Sequence, residues 1–176
     1  MTAGTGERGD ASLPPIVFLV GFMGAGKTTV GQVLAGRIGY QFFDLDQIIE
    51  NQTGRLVRDI FREDGEDEFR RIERAALASC ARTSNAVIAL GGGAFISAEN
   101  RAVVRKLGTT VWLDCPLAVC LKRLAGDETR PLLRSQAEMV KLLNERMPFY
   151  EKADFTVRAD AEPDAVVDSV LALLAR

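Results

Sequence analysis

Short apolar runs recur along this chain and are separated by polar turns and longer amphipathic stretches. The run Ile16–Val20 is unbroken and ends at a glycine, which is typical of a parallel strand covered on both faces. Four more runs have the length and composition of strands, and they predict strands over residues 41–45, 86–90, 109–113 and 155–158. The pattern therefore predicts five strands spread over most of the chain.

Apolar positions between these runs repeat at helical spacing. A helix is predicted after Lys27, where aliphatic residues share one face, and Gly39 is its expected end. The same spacing predicts helices over residues 47–51, 57–62, 66–81, 99–107, 117–124, 138–150 and 164–174. Strands that alternate with helices predict an α/β fold, here three layers (α/β/α) around a five-stranded parallel sheet.

Two segments fall outside this alternation. Residues 1–14 are polar, have no apolar stretch of the kind found in secretion signals and end at Pro14, so we expect a disordered N-terminal tail. Residues 125–136 combine Gly, Asp, Thr, Arg and Pro, which predicts an exposed loop. No repeat, linker or charge block divides the remainder, so residues 15–176 are predicted to form one domain.

Composition and charge narrow the function classes. Of the 176 residues, 47% are apolar and 26% are charged, which is ordinary for a globular domain. The net charge of −2 argues against a nucleic-acid partner. No stretch approaches the ~18 consecutive apolar residues that a membrane span needs. A cytoplasmic protein without a membrane partner is therefore expected.

Two residue types limit the chemistry further. The chain contains no histidine, which excludes a histidine base and every histidine-ligated metal site. Its three cysteines, Cys80, Cys115 and Cys120, are odd in number and lack CxxC spacing. Reduced thiols that are buried or without a chemical role are therefore expected.

The most specific motif is a glycine-rich phosphate-binding segment. Residues 21–28 read GFMGAGKT and match the pattern G-x-x-x-x-G-K-[ST] between a predicted strand and a predicted helix. Glycines let the backbone wrap closely around an anion, and N–H groups at a helix N-terminus favour negative charge. In such a site Lys27 neutralises the β- and γ-phosphates, and the Thr28 hydroxyl holds Mg²⁺. The segment predicts binding of a nucleoside triphosphate, and by itself it leaves an ATPase, a GTPase, a kinase or a motor open.

The rest of the sequence favours a small phosphotransferase. A GTPase of this size should contain a guanine-reading N-K-x-D segment, and the sequence has none. Motors and helicases usually need a longer chain or a second domain. A small phosphotransferase must close over its substrate to exclude water, and the loop over residues 125–136 is suited to be that lid.

Several further motifs, together with residues 21–28, resemble those of shikimate kinases. They are Asp44-Leu-Asp46, Gly65-Glu66 followed by Phe69-Arg70-Arg71-x-Glu73, the glycines 91–93, Arg130-Pro131-Leu132-Leu133 and Arg146-x-x-x-Tyr150. The resemblance covers roughly residues 16–160 in register. It implies a P-loop fold of the nucleoside-monophosphate-kinase type with a mobile lid. It also implies transfer from ATP, with Mg²⁺, to the 3-hydroxyl of shikimate, on the chorismate route to aromatic amino acids.

The resemblance assigns the acceptor site. Arg70 and Arg146 match the two arginines that bind the shikimate carboxylate, a role that suits the forked guanidinium. Asp46 matches the aspartate that binds the acceptor hydroxyl and orients or deprotonates it. Glu73 lies three residues after Arg70 on the same helical face, where it can hold the guanidinium in place. The expected substrate-binding residues are Asp46, Arg70, Gly91, Gly92, Gly93 and Arg146.

The donor site is assigned in the same way. Arg130 matches the lid arginine that reaches the transferring phosphates, and the expected catalytic set is Lys27, Asp46 and Arg130. Asp44 is expected to face Mg²⁺ through a water beside Thr28, and the alternative is an ordinary cap on the next helix. The expected ATP-binding residues are Gly24, Ala25, Gly26, Lys27, Thr28, Thr29, Arg123 and Arg130.

Some interpretations stay open at this point. Three consecutive glycines are costly in backbone entropy, and the close approach of backbone amides to a substrate explains them better than a plain turn. Phe61 and Phe69 either wall the substrate pocket or belong to the core, and Arg134 is expected to be solvated. The alternative functions are a kinase of another polyol acid such as gluconate, and a nucleotide-binding module with little turnover. A monomer is expected.

Overall fold

The computed structural model describes residues 13–125 and 135–175. Within these residues five strands form one parallel sheet: β1 Ile16–Val20, β2 Gln41–Asp44, β3 Ala86–Ala89, β4 Thr109–Asp114 and β5 Phe155–Arg158. Their spatial order is β2-β3-β1-β4-β5. Every residue of β1 and β3 is buried, and successive strand residues point to opposite faces, so both faces of the sheet centre are covered.

Seven helices connect and flank these strands in the described part of the chain. They are α1 Lys27–Ile38, α2 Leu45–Thr53, α3 Val57–Ser79, α4 Ala98–Leu107, α5 Leu117–Ala125, α6 Gln136–Tyr150 and α7 Pro163–Leu174. Helix α1 packs against α7, and α3 packs against α4. The predicted α/β class and the five-stranded parallel sheet are confirmed.

Helix α3 contains a backbone break that the sequence pattern had indicated. Gly65 has φ 83° and ψ 176°, which is outside helical geometry and in the left-handed half of φ that favours glycine. The two helices predicted over 57–62 and 66–81 are thus the two halves of α3, which are separated by one non-helical residue. The second half ends at Ser79 and passes into a short 3₁₀ turn, Cys80–Arg82, which the pattern did not predict.

The predicted lid and tail fall mostly outside the described residues. Helix α5 extends through Ala125 and α6 begins at Gln136, so these two ends of the predicted 125–136 loop are helical. Residues 126–134, with Arg130 and Arg134, lie outside the described residues, as do residues 1–12. Leu13 packs against the core, and the carbonyl of Pro14 accepts a hydrogen bond from the Tyr40 hydroxyl at 3.1 Å.

The three cysteines, Cys80, Cys115 and Cys120, are buried free thiols. Among the helices of residues 13–125 and 135–175, none is both long enough and apolar enough to cross a bilayer.

The carboxyl ends of all five parallel strands lie at one edge of the sheet, and the loops that follow them form the site described next.

Candidate active site

The glycine-rich segment 21–28 forms a tight loop between β1 and α1. Gly24 has φ 77°, and a β-carbon placed on it would lie 2.7 Å from the carbonyl oxygen of Cys120. Any side chain there would therefore clash with backbone atoms of α5. Gly26, at φ 93°, precedes the first residue of α1, so the uncapped helix N-terminus opens directly onto the loop.

A cavity of about 520 Å³ lies above this loop, at the carboxyl edge of the sheet. Five chain segments line it: the glycine-rich loop with the start of α1, the end of β2 with the start of α2, the turn after β3, the end of α5, and the segment from β5 into α7. The expected ATP-binding residues found in its wall are Gly24, Gly26, Lys27, Thr28, Thr29 and Arg123. Ala25 differs, because it is 1% exposed and its N–H donates to the carbonyl of Phe22 at 3.2 Å.

Lys27 lies across the mouth of the loop. Its Nζ donates to the carbonyl oxygens of Gly21 at 2.8 Å and Phe22 at 3.0 Å. The ammonium group is thus held at the centre of the phosphate-binding loop, in the wall of the cavity. This arrangement places a positive charge where the helix N-terminus already favours an anion.

Asp44, the last residue of β2, makes two different contacts with its two carboxylate oxygens. Oδ2 accepts a hydrogen bond from the Thr28 hydroxyl at 3.2 Å, and Oδ1 accepts one from the backbone N–H of Asp46 at 3.0 Å. The second contact makes Asp44 the N-cap of α2, so Asp44 does cap the helix, as the alternative expectation had it. The first contact brings together the two oxygen donors expected to hold Mg²⁺, and an all-oxygen set suits that ion.

Each of the three glycines after β3 leaves room for one charged side chain of the site. A β-carbon built on each glycine would lie within 3.0 Å of that side chain. The distances are 3.0 Å from Gly91 to Asp46 Oδ1, 2.9 Å from Gly92 to Arg146 Nη1, and 2.6 Å from Gly93 to Arg70 Nη2. The absence of side chains in this turn therefore lets an aspartate and two arginines from three different helices converge.

Arg70 is held by a buried carboxylate one turn along α3. Its Nη1 lies 3.1 Å and 3.0 Å from the two oxygens of Glu73, which is 1% exposed. Burial raises the pKa of the Glu73 carboxyl, and the Arg70 guanidinium opposes that shift. The amide of Asn100, on α4, donates to Glu73 Oε2 at 3.4 Å and to the carbonyl of Ala94 at 2.9 Å. Glu73 thus fixes Arg70 in the way that its spacing indicated.

Arg146, on α6, reaches the same turn beside Gly92. Its Nε is buried, and it has no hydrogen-bond partner among residues 13–125 and 135–175. Leaving a buried donor unsatisfied is unfavourable, so the atom indicates a place for an acceptor that the described residues do not supply. The guanidinium carbon lies 6.0 Å from the centre of the Phe22 ring, which places it between the acceptor turn and the glycine-rich loop.

Comparison with known proteins identifies the architecture. The family model of shikimate kinase matches residues 23–175. A shikimate kinase of Persephonella marina is 39% identical over 157 residues, which are 88% of this chain and 96% of that protein. The chain belongs to the shikimate kinase family.

Solved structures of shikimate kinases agree with this assignment. Shikimate kinase from Bacteroides thetaiotaomicron has a TM-score of 0.86 and 34% identity, with 92% of this chain and 98% of that chain covered. Shikimate kinase from Acinetobacter baumannii, solved in complex with shikimate, has a TM-score of 0.84 and 36% identity, with 91% and 92% covered. A gluconokinase from Sinorhizobium meliloti has a TM-score of 0.68 at 20% identity, with 93% of each chain covered, a likeness that shows the shared fold alone.

The sequence did not predict that the segment after β5 forms one wall of the site. The segment after β5 lines the cavity with Ala159, Asp160, Ala161, Glu162 and Pro163. Its residue types carry no motif, but its position after a parallel strand was a usable signal, because such strand ends meet at one edge. Arg123 joins this wall to the glycine-rich loop, since its Nη1 lies 3.2 Å from the carbonyl of Ala159 and 3.3 Å from that of Ala25.

The two phenylalanines differ from each other. Phe61 and Phe69 stack with ring centres 4.2 Å apart. Phe69 is 3% exposed and belongs to the core, whereas Phe61 is 38% exposed. The guanidinium carbon of Arg70 lies 5.3 Å from the centre of the Phe69 ring, so Phe69 also makes a cation–π contact with that arginine.

Proposed function

We propose that this chain transfers the γ-phosphoryl group of ATP to the 3-hydroxyl of shikimate, giving ADP and shikimate 3-phosphate. The observation that carries the proposal is the convergence of Arg70, Arg146 and Asp46 on the glycines 91–93, beside the phosphate-binding loop. Two forked cations and one carboxylate match a ring acid that carries a carboxylate and hydroxyl groups. Membership of the shikimate kinase family supports the same substrate.

On the donor side, the triphosphate is bound by the loop 21–28 and the N-terminus of α1. Lys27 is the charge that stabilises the β- and γ-phosphates as negative charge spreads over the transferring group. Thr28, and Asp44 through a water, would hold Mg²⁺, and the ion would neutralise phosphate charge there. Arg123 and the turn after β5 bind the nucleoside end of ATP.

On the acceptor side, Arg70 and Arg146 bind the carboxylate and Asp46 faces the hydroxyl. Asp46 orients that hydroxyl towards the γ-phosphate and accepts its proton, since the chain has no histidine to do so. A loose transition state makes positioning the larger part of this contribution. The lid arginine, Arg130, completes the proposed catalytic set. The proposal further places the enzyme in the cytoplasm as a monomer, on the chorismate route.

The decisive experiment is a coupled ADP-release assay with ATP and a panel of hydroxy acids. Turnover with shikimate far above that with gluconate is expected, and phosphorus NMR of the product should show a phosphate ester on the 3-hydroxyl. Preferred turnover of gluconate would contradict the acceptor assignment. Binding of ATP with no turnover of any acid would instead support a nucleotide-binding module.

Arg146→Ala tests the residue on which the acceptor assignment depends. We expect the KM for shikimate to rise, because the variant loses about 2–4 kcal/mol of charge-assisted binding free energy. The KM for ATP should change much less. Arg105→Ala is the matched control, because Arg105 lies in the last turn of α4 and donates to the carbonyl of Lys152 at 3.0 Å. Equal effects on both substrates would contradict the proposal.

A further inference from the structure

Tyr150 makes a contact that the donor and acceptor assignments leave unexplained. It is the last residue of α6, it is 0% exposed, and its hydroxyl donates to the carbonyl of Gly92 at 2.6 Å. Tyr150 and Arg146 are four residues apart on one helix, so both side chains project from the same face. Both therefore reach the same glycine from α6.

The contact lies at the point where the acceptor turn meets the carboxylate-binding arginine. A β-carbon position on Gly92 is 2.9 Å from Arg146 Nη1, 3.7 Å from Tyr150 Oη and 3.8 Å from the carbonyl oxygen of Gly21. The phenol, the guanidinium and the backbone of the phosphate-binding loop thus surround one glycine. A shift of that glycine would disturb the acceptor subsite first.

Three glycines in a row have more backbone freedom than any other tripeptide, so this turn needs an external restraint to hold one shape. The short hydrogen bond from Tyr150 to the Gly92 carbonyl is such a restraint. We propose that Tyr150 is a positioning residue for the acceptor, whose hydroxyl fixes the 91–93 turn against Arg146 so that the carboxylate site is formed before shikimate binds. The proposal rests on the acceptor assignment made above.

The ring and the hydroxyl of Tyr150 have different roles. The ring contributes to the core, with its centre 6.1 Å from that of Trp112. Burial raises the pKa of the Tyr150 phenol to about 12, so the hydroxyl stays protonated and remains a donor throughout the working pH range. Phenylalanine keeps the ring and removes only the donor. Tyr150→Phe therefore tests positioning without opening a cavity.

The chain supplies a matched control, because it has only one other tyrosine. Tyr40 also donates its hydroxyl to a backbone carbonyl, that of Pro14 at 3.1 Å, and it does not line the cavity. We expect Tyr150→Phe to raise the KM for shikimate about tenfold, the equivalent of one lost buried hydrogen bond. The KM for ATP should stay within about twofold, and Tyr40→Phe should leave both constants unchanged.

The pattern of the results decides between explanations. An unchanged KM for shikimate in Tyr150→Phe, or an equal rise in the KM for ATP, would overturn the positioning role. If wild type turns over shikimate and Tyr150→Phe behaves like it, only this inference fails. If wild type does not turn over shikimate, the proposed function itself fails.

A second measurement does not depend on the folding of Tyr150→Phe. Growth on 3-fluorotyrosine in a Tyr40→Phe background labels Tyr150 alone, since the chain has two tyrosines. We expect a sharp fluorine resonance in the shikimate-free protein, with little further sharpening when shikimate is added, because the turn is already fixed. A resonance that is broadened by exchange in the free protein and sharpens only with shikimate would overturn the proposal.

Discussion

Glu73 holds Arg70 by a fork of two contacts, at 3.1 Å and 3.0 Å from one guanidinium nitrogen to both carboxylate oxygens. Glu73 is 1% exposed, whereas the side chain of Arg70 is 26% exposed and borders the acceptor turn at Gly93. The carboxylate thus acts on the substrate only through the arginine. Its replacement should affect acceptor binding far more than donor binding.

Glu73→Gln is expected to raise the KM for shikimate about tenfold, because the ionised carboxylate that orients Arg70 with both oxygens becomes a neutral amide with one acceptor oxygen. The KM for ATP should stay within about twofold. Glu66→Gln is the matched control, since Glu66 also contacts Arg70, at 3.1 Å, from a side chain that is 66% exposed. A change of similar size in both variants would contradict a special role for the buried carboxylate.

The pH dependence of stability should carry the signature of Glu73. Its pKa is raised in the folded protein by burial, against the opposing charges of Arg70 and Arg146, and Asn100 also faces it. A group with a raised folded pKa contributes stability that is fully present below its unfolded pKa, about 4.5, and is lost as pH rises through the folded value. Wild type should therefore lose stability relative to Glu73→Gln as pH rises above about 4.5. Denaturant unfolding of both proteins at several pH values measures this difference, and an opposite trend would show that Arg70 outweighs burial.

Gly93→Ala should impair acceptor binding while the protein still folds. The new β-carbon would lie 2.6 Å from Arg70 Nη2, the far end of a flexible side chain that can move aside. We expect a KM for shikimate raised by about tenfold or more, comparable to a lost charge-assisted hydrogen bond. Michaelis constants for both substrates and a thermal melt measure the effect.

Gly36→Ala controls for the change of glycine to alanine itself. Gly36 lies within α1, and a β-carbon there would meet no atom within 4 Å. The substitution should stabilise the protein by about 0.5–1 kcal/mol through helix propensity, with unchanged kinetics. Loss of shikimate binding in this variant would show that the Gly93→Ala effect is not local.

Lys27→Ala should abolish phosphoryl transfer. The substitution removes the ammonium group that lies 2.8 Å from the carbonyl of Gly21, within the phosphate-binding loop. Shikimate binding, measured directly by calorimetry, should be largely retained. Lys141→Ala is the control, because that side chain is 79% exposed on α6. Near-normal turnover in Lys27→Ala would contradict the donor assignment.

The sequence predicted those parts of the site that depend on unusual residue types at strand ends. The loop 21–28 was found from its match to a phosphate-binding pattern between a strand and a helix, and the pair Asp44 and Asp46 was found from the resemblance to shikimate kinases. The break at Gly65 falls in the gap between the two helices predicted over residues 57–62 and 66–81. Each of these features is local, so a short window of sequence contains the whole signal.

The residue pattern alone did not predict features that depend on packing between distant segments. The glycines 91–93 leave room for Asp46, Arg146 and Arg70, and the expectation that these residues share one site came from the resemblance to shikimate kinases, because no local pattern shows which helices meet there. Their expected role in admitting backbone amides to the ligand stays a prediction. The wall after β5 and the hydrogen bond from Tyr150 to Gly92 were missed for the same reason.

The adjacency of β1 and β3 in the sheet brings the glycine-rich loop and the acceptor turn into the wall of one cavity. The carbonyl oxygen of Gly21 lies 3.8 Å from a β-carbon position on Gly92. A synthetic inhibitor that joins a polyphosphate to a cyclic acid would therefore need only a short tether to occupy the donor and acceptor sites at once. Such a bisubstrate compound would gain affinity from both halves without crossing solvent.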